Sequence, residues 1–519
     1  MVSPSSSDAD WKHDEKNDHV VEVSVNDVDT AAQIVAGASE ALDPREAERI
    51  KKKIDRHILP LMCTLYWIQF MDKTTLGSSA ILGIRESTHL STNQYNWLGT
   101  IFYLSYLVFE FPQNLCLQRF PVGRWMSINI FVWAVALCCH AACKNFAGLF
   151  VVRLILGMCE GSITAGFMIV SSMFYTRKEQ TLRVGYWFLM NGTAQIISGF
   201  ISFGTLHIKT GTFEPWQWYA HDNHGFNHSY YGDFLLVSLT YTSYTATRPN
   251  HPGQRPSREL RHENQTGVEN KHFKKEQMIE ALTDPKTWLF ALFAALDNIP
   301  NSLTNQRTII VSSFGFSNLQ TTLLSCVDGF VEIVTIWTGV IIASRIPNSR
   351  AYVGAIYMLP NVLGVFLVNF LPWSNKIGLL FSVWITGVGT TGFVLSLSWV
   401  SAVVSGHTKK ITVNAIMLSA YCIGNSAGPF MWQAKYKPRN HIPWIIIGIC
   451  YVCCMSLLLT IRFLLSRENK RRNTESTDDA YGDVYIERLT SDGKKEMIKV
   501  DKEFLDLTDI QNRDFRYVL

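Results

Sequence analysis

The segment Ile58–Ala80 constrains the fold most, because it is an apolar run that carries an acid and a base side by side, Asp72 and Lys73. A run of about 20 apolar residues is enough for a helix to cross a bilayer. Ionisable groups inside such a helix are costly and need a reason to be there. The pair therefore indicates either a local ion pair at a helix bend or membrane edge, or a water-filled pathway with a substrate or proton site.

Composition indicates that the whole chain is a multi-spanning membrane protein. Only 17% of its 519 residues are charged, against about 25% in soluble domains. The net charge of +4 is small, and basic residues lie in short clusters beside apolar segments, which is a sign of membrane topology rather than of nucleic-acid binding. The eleven cysteines lack metal-ligand spacing, so we expect packing roles for those in apolar runs, and no metal site.

Eleven apolar segments are predicted to be membrane-spanning helices because of their length and composition. After 58–80 they are 95–117, 125–142, 146–174, 184–208, 288–311, 321–343, 352–371, 377–404, 412–432 and 444–465.

Loops rich in Lys and Arg alternate along the chain with loops that contain few basic residues. Short cytoplasmic loops are enriched in Lys and Arg, so both termini are predicted to be cytoplasmic. The loop 434–441, AKYKPRNH, is an exception, because the rule places it outside despite its charge. Termini on one side require an even number of crossings, and the twelfth would lie between Gly211 and Arg261. Only Phe234–Leu239 is strongly apolar there, so the sixth helix is predicted to be degraded or missing.

The chain is accordingly divided into six predicted parts. They are a cytoplasmic N-terminal tail (1–56), an N-terminal transmembrane bundle of helices 1–5 (57–210), an anomalous segment in place of helix 6 and the start of the central loop (211–262), a central cytoplasmic loop (263–286), a C-terminal transmembrane bundle of helices 7–12 (287–466) and a cytoplasmic C-terminal tail (467–519).

Motifs spread over both halves resemble one protein family. They include DKTTL (72–76), NQYNWLG (93–99), FEFP (109–112), PVGR (121–124), VVRLILGMCEG (151–161), DPKTWLF (284–290), NIPNSLTNQ (298–306), GHTKKITVNAI (406–416), GNSAGPF (424–430) and the C-terminal DFRYVL (514–519). Together they resemble the major facilitator superfamily and, within it, the fungal allantoate permease family of anion:cation symporters. The resemblance implies an all-α membrane protein with two six-helix bundles related by a pseudo-twofold axis, a central cavity and alternating access.

The function that the resemblance implies is secondary active transport, not enzymatic catalysis. The expected activity is proton-coupled uptake of a small organic anion, such as allantoate, ureidosuccinate or a related carboxylate, across the plasma membrane. The expected partners are that solute, protons and lipid, with no cofactor and no nucleic acid. Three alternatives stay open: a vitamin-carboxylate transporter of the nicotinate or pantothenate type, a nutrient sensor on a transporter fold, and an inactive product of a faulty gene model that lacks the sixth span.

Polar side chains inside the predicted spans are the candidates for the transport site. Substrate binding is assigned to Lys73, Arg153, Asn191, Gln195, Asn301 and Asn305, and proton coupling to Asp72, Glu160, Asp328 and Glu332. An arginine such as Arg153 can hold a carboxylate through two parallel hydrogen bonds, although a structural ion pair with Asp72 or Glu160 is the alternative.

Helical spacing supports two of these groups. Asn191 and Gln195 are four residues apart and share a helix face, where they can bind a polar ligand or hold helices together. Asp328 and Glu332 repeat that spacing, which suggests proton handling in the membrane.

A gate is predicted near the cytoplasmic end of the second span. There Glu110 lies close in sequence to Arg119 and Arg124, and opposite charges at a helix end can act as a latch between spans.

Overall fold

The computed structural model describes residues 21–22, 44–120, 122–175, 177–208, 213–220, 273–475, 484–489, 495–500 and 506–519. Residues 221–262 lie outside this part of the chain, and with them most of the segment predicted to replace the sixth helix. That prediction, and the division into six parts, therefore stay predictions.

Long helices dominate the first half of the chain, residues 44–220. Helix α1 (Pro44–Ile81) has 38 residues, so it is about 57 Å long and extends well beyond a bilayer core of about 30 Å. The following helices are α2 (Ile84–Ser87), α3 (Thr92–Arg119), α4 (Val122–Ala142), α5 (Phe146–Phe174), α6 (Arg177–Phe188) and α7 (Met190–Thr205), and residues 215–220 are also helical.

The second half, residues 273–475, contains nine helices among the residues described. They are α8 (Lys275–Thr283), α9 (Pro285–Asn298), α10 (Leu303–Ser313), α11 (Asn318–Arg345), α12 (Arg350–Phe370), α13 (Lys376–Ile385), α14 (Thr390–Val403), α15 (His407–Ala427) and α16 (His441–Thr474). Between α9 and α10 lies a single 3-10 turn, Pro300–Ser302. Proline lacks an N–H and clashes with the preceding helical turn, so Pro300 divides this helix as its position predicts.

Residues of the two tails form a small three-stranded sheet. Strand β1 (Val21–Glu22) pairs in parallel with β2 (Val484–Leu489), and β2 pairs antiparallel with β3 (Lys495–Val500), with Val484 opposite both Val21 and Val500.

Six of the described helical segments are long and apolar enough to cross a membrane. They are Arg124–Ala142, Phe146–Thr164, Asn318–Arg345, Arg350–Phe370, Lys376–Val403 and His441–Thr474. The other predicted spans are also helical, but α1 carries Asp72 and Lys73 and the α9–α10 segment is interrupted at Pro300. Polar groups and breaks of this kind are tolerated at membrane depth where they face protein or a wet cavity.

The two ends of the helical assembly can be told apart by their contacts. Ile58 and Met62, which begin the apolar part of α1, share a buried cluster with Val340 and Ala343, near the end of α11. We call this end the tail face. At the opposite end, the far face, Asn318 donates to the carbonyl of Ile81 at the end of α1.

Identical capping boxes begin α3 and α11 at the far face. Ser91 accepts a hydrogen bond from the backbone of Gln94, whose side chain accepts from the Ser91 backbone, and Ser317 with Gln320 repeats the arrangement. Each box satisfies two N–H groups that a helix start leaves without partners. The same local sequence device thus sets where a long helix begins in each half.

The C-terminal residues 506–519 dock on the tail face of the second half. Asp509 is fully buried and forms ion pairs with Lys286 and with Lys409, the latter at 2.8 Å. Tyr517 donates to Asp509 at 2.7 Å and belongs to the buried apolar cluster of the second half. Arg472 of α16 donates to the carbonyl of Asp509 at 3.0 Å, so these residues are integral to the packing of this half.

Candidate transport site

A cavity of about 180 Å³ lies between the two halves of the chain. We call it the central cavity. Helices of both halves contribute to its wall, including α1, α7, α10, α11 and α15. Apart from tyrosines, its polar and charged lining residues are Lys73, Thr74, Ser78, Thr164, Asn191, Gln195, Ser198, Asp297, Asn298, Asn301, Thr304, Arg307, Thr308, Ser325, Asp328, Glu332, Thr386 and Thr390.

Lys73 brings a positive charge to the wall of the first half. Its ammonium lies 2.8 Å from a carboxylate oxygen of Glu160 on α5, which is fully buried, and Gln69 donates to the same oxygen at 2.8 Å. The predicted substrate-binding lysine and the predicted proton-coupling glutamate are therefore an ion pair at the edge of the cavity.

Asp72 lies on another face of α1 and does not line the central cavity. Successive residues of an α-helix are about 100° apart, so adjacent side chains cannot both point in one direction. The indole N–H of Trp133 donates to Asp72 at 2.8 Å. This contact joins α1 to α4 and does not involve Lys73.

Arg307 brings the matching positive charge to the wall of the second half, and it is not among the residues predicted from sequence. It donates to Asp328 at 2.6 Å and to Thr386 at 3.3 Å. Thr386 lies in the break between α13 and α14, where Gly387 leaves room for the guanidinium. A signal was available, since Arg307 is the one basic residue in the apolar segment 288–311.

Three further predicted residues meet where α7 crosses α11. Gln195 donates a hydrogen bond to Glu332, and both line the central cavity together with Asn191. The crossing joins the two halves, so the amides predicted to bind substrate contact an acid predicted to handle protons.

The predicted asparagines of the second half lie at different depths. Asn301 lines the cavity and donates to Asn425 of α15 at 2.7 Å. Asn305 is one turn farther along, where its carbonyl accepts from the Tyr95 hydroxyl at 3.0 Å. Asn301 can reach a bound solute, whereas Asn305 helps to close the far face.

Arg153, Glu110, Arg119 and Arg124 lie away from the central cavity. Arg153 is 3% exposed, and its Nε and Nη2 have no hydrogen-bond partner among the described residues. Glu110 is equally buried, and neither of its carboxylate oxygens has such a partner. Arg119 and Arg124 are exposed. The structure therefore does not bring the predicted gate residues together.

Asp297 lines the cavity without an ion-pair partner in the part of the chain that the structure describes. Taken with Asp328 and Glu332, it makes the wall of the second half richer in acids than in bases.

Hydrogen bonds between the halves close the far side of the central cavity. Tyr95 donates to Asn305, Asn96 donates to the carbonyl of Trp432 at 3.0 Å, and Thr308 donates to the carbonyl of Gly77 at 2.9 Å. A cavity between two halves that is closed on one side is the arrangement expected of a carrier that works by alternating access.

Comparison with known proteins identifies the architecture. Residues 62–429 match the Major Facilitator Superfamily. The chain belongs to this superfamily. The family and the all-α transporter fold predicted from the motifs are thereby confirmed, and the two six-helix bundles with their pseudo-twofold axis stay predictions.

Named relatives of this superfamily member are fungal transporters. It is 33% identical to the thiamine pathway transporter of Saccharomyces cerevisiae over 91% of this chain and 86% of the relative. It is 30% identical to the allantoate permease of the same yeast over 97% of this chain and 92% of the relative. The superfamily member is therefore a secondary transporter. The relatives' names point to different solutes, so its own solute must be argued from its own cavity.

A solved structure has the same fold. It is a bacterial homologue of the human lysosomal transporter Spinster, in an inward-facing and unoccupied conformation, with a TM-score of 0.53, 15% identity, and coverage of 79% of this chain and 97% of that one.

Proposed function

We propose that this protein takes up a small organic anion, such as allantoate, ureidosuccinate or a related carboxylate, in symport with protons. The observation that carries the proposal is the placement of Lys73 and Arg307 on opposite walls of one cavity. Once the acidic partner of each cation is protonated, the two positive charges can attract a carboxylate, and an arginine can hold it through two hydrogen bonds.

Proton coupling follows from the partner of each cation. Lys73 is neutralised by Glu160, and Arg307 by Asp328. When the acid of a pair takes up a proton, its charge is lost and the cation becomes available to the solute's carboxylate. Release of the proton restores the ion pair and displaces the solute. Protons and anions would therefore bind together and leave together.

Orientation follows from the basic loops. We propose that the tail face is cytoplasmic, that both termini lie there, and that the membrane is the plasma membrane. The closed far face would then be the outer side, and the conformation described here would be the one that exchanges solute with the cytoplasm.

An aromatic carboxylate of the nicotinate type is a second candidate for the solute. Phe393 and Tyr421 stack at the cavity wall, with ring centroids 5.6 Å apart and planes inclined by 30°. Tyr66 lines the opposite wall. Flat aromatic faces of this kind bind conjugated rings favourably.

Uptake of labelled solutes tests these assignments. Cells that lack endogenous uptake would express the full chain and receive a panel of ureides, dicarboxylates and vitamin carboxylates. We expect one class to accumulate against its gradient and the accumulation to collapse with a protonophore. Binding without accumulation would favour a sensor, and accumulation that a protonophore does not affect would rule out proton coupling.

A further inference from the structure

A second cavity lies on the far face, apart from the central one. It has a volume of about 120 Å³ and is lined by residues of both halves, including Arg85, Tyr95, Gln306, Trp432 and Lys437. Arg85 belongs to α2 of the first half, and Lys437 to the loop between α15 and α16 of the second half. We call this space the seam pocket, because it lies where the two halves meet.

Two positive charges face the seam pocket, and no Asp or Glu is among the described residues that line it. The guanidinium of Arg85 lies 5.6 Å from the ring centre of Tyr95 and donates to Thr92 at 3.3 Å, while its Nε has no hydrogen-bond partner among the described residues. Lys437 is an exposed residue, and its partial desolvation, followed by the positive charge of Arg85, lowers its pKa. The two cations therefore repel each other across the seam, and nothing in the described lining neutralises them.

Lys437 differs from the other cations of its loop. Lys435 lies 4.9 Å above the ring of Tyr436, and Arg439 lies 5.6 Å from the ring of Trp373. Lys437 has no ion pair or ring contact in the part of the chain that the structure describes. Its loop, 434–441, is also the one whose charge contradicts the expected topology, so a role for this charge on the far face would explain an otherwise unexplained sequence feature.

We propose that the seam pocket binds a small oxyanion, carboxylate or phosphate, between Arg85 and Lys437. The anion turns a repulsion between the halves into an attraction, because each cation gains a charge-assisted hydrogen bond. The seam pocket is a complete binding site only while the far face is closed. A bound anion therefore stabilises that conformation over one in which the two halves separate at the far face. The site does not depend on which solute the central cavity carries.

Chemical labelling of lysines tests the proposal without any transport measurement. The purified full chain in nanodiscs of uncharged lipid would be treated with an amine-reactive succinimidyl ester, with inorganic phosphate or with sodium chloride of equal ionic strength. Chymotryptic peptides analysed by mass spectrometry would report Lys437 and Lys435 separately. We expect phosphate to reduce labelling of Lys437 several-fold, because a bound anion covers the amine and keeps it protonated, and to leave Lys435 unchanged.

Variants of Arg85 identify the site. Arg85→Gln should abolish the protection of Lys437, and Arg85→Lys should retain part of it. No protection in the unmodified protein, equal protection of Lys435, or full protection in Arg85→Gln would each overturn the proposal.

Repeating the measurement with the accumulated solute in place of phosphate separates the two sources of the anion. Protection by the solute assigns the pocket to molecules arriving for transport, and protection by phosphate alone assigns it to an inorganic anion of the medium.

Discussion

Lys73 and Arg307 lie on opposite walls of the central cavity, each has one acidic partner, and we propose the same anion-binding role for both. The pairs differ in surroundings, since Glu160 is fully buried whereas Arg307 and Asp328 both line the cavity. Removal of either cation therefore has two consequences, loss of an anion ligand and exposure of an unpaired acid. A useful variant must separate these effects.

Replacing Lys73 by glutamine should abolish solute uptake and lower stability by about 3–5 kcal/mol, because Glu160 becomes a buried charge without a counterion. The double variant Lys73→Gln, Glu160→Gln should regain thermal stability while uptake stays absent. Thermal unfolding in detergent and uptake in cells measure the two quantities. Restored uptake in the double variant would show that Lys73 does not bind the solute.

Arg307→Gln is expected to raise KM for the anion at least about tenfold, which corresponds to about 1.4 kcal/mol of lost binding. Arg307→Lys keeps the charge but loses the planar fork and should be intermediate. Initial uptake rates over a range of solute concentrations give KM. An unchanged KM in Arg307→Gln, at normal expression, would place the anion elsewhere.

Sequence reasoning reached the residues of the site more easily than their partners. Lys73, Glu160, Asp328 and Glu332 stand out because charged residues are rare in apolar segments. Their pairing depends on which helix faces which, and that is a property of tertiary packing. Asp72 illustrates this limit. Its neighbour Lys73 lines the cavity, whereas Asp72 accepts a hydrogen bond from Trp133. The same rule of rarity applies to Arg307, the one basic residue in the apolar segment 288–311.

At the level of elements, the crossing of α7 and α11 determines how closely the two halves approach. A Cβ placed on Gly192 would lie 2.3 Å from the carbonyl oxygen of Gly329, and a Cβ on Gly329 would lie 2.3 Å from that of Gly192. Small residues allow helix backbones to meet in this way in membranes. The contact involves backbone atoms, so no rotamer change can relieve an added methyl group.

Gly192→Ala should therefore disfavour the conformation described here and reduce uptake strongly, with a stability cost of about 1–3 kcal/mol from overpacking. Gly204→Ala in the same helix is the matched control, because nothing lies within 4 Å of its added Cβ. Uptake and thermal unfolding of the two variants should be compared at equal expression. Similar behaviour of both would show that helix propensity, and not the crossing, decides the result.

Helix positions were the most predictable part of the elements. Apolar length alone places them, and the break at Pro300 follows from proline chemistry. Two further breaks, at Leu189 between α6 and α7 and at 386–389 between α13 and α14, do not follow from the sequence. Glycines such as Gly354 and Gly364 also lie within the continuous helix α12, so Gly387 and Gly389 alone do not predict the break at 386–389. Arg307 donates to Thr386 within this break at 3.3 Å.

At the scale of the whole molecule, the C-terminal residues tie together the tail face of the second half. Burial alone would raise the pKa of Asp509, but the charges of Lys286 and Lys409 hold it at about 2, below its usual 3.8. A carboxylate with a lowered pKa stabilises the fold above its ordinary pKa and loses that contribution as pH falls through the folded value. The contribution is about 2–3 kcal/mol.

Asp509→Asn is expected to lower the unfolding temperature at neutral pH, because Lys286 and Lys409 lose a buried counterion. The difference from the unmodified protein should begin to narrow as the pH falls from about 4 to about 2, where the carboxylate of the folded chain becomes half protonated. Glu276→Gln on α8, an exposed acid, is the control. If Asp509→Asn were as stable as this control, the C-terminal residues would not contribute to the stability of the fold through Asp509.

The docking of the C-terminal residues has a practical consequence for anyone who expresses this protein. The backbone amide of Leu519 donates to Asn348 at 3.1 Å, and the carbonyl of Val518 accepts from Trp399 at 2.7 Å. A fluorescent reporter or affinity tag fused directly after Leu519 would pull on these contacts. A low yield of such a fusion could then reflect the disrupted contacts of the C-terminal residues and not the folding of the unmodified protein. A long flexible spacer between Leu519 and the tag would avoid this effect.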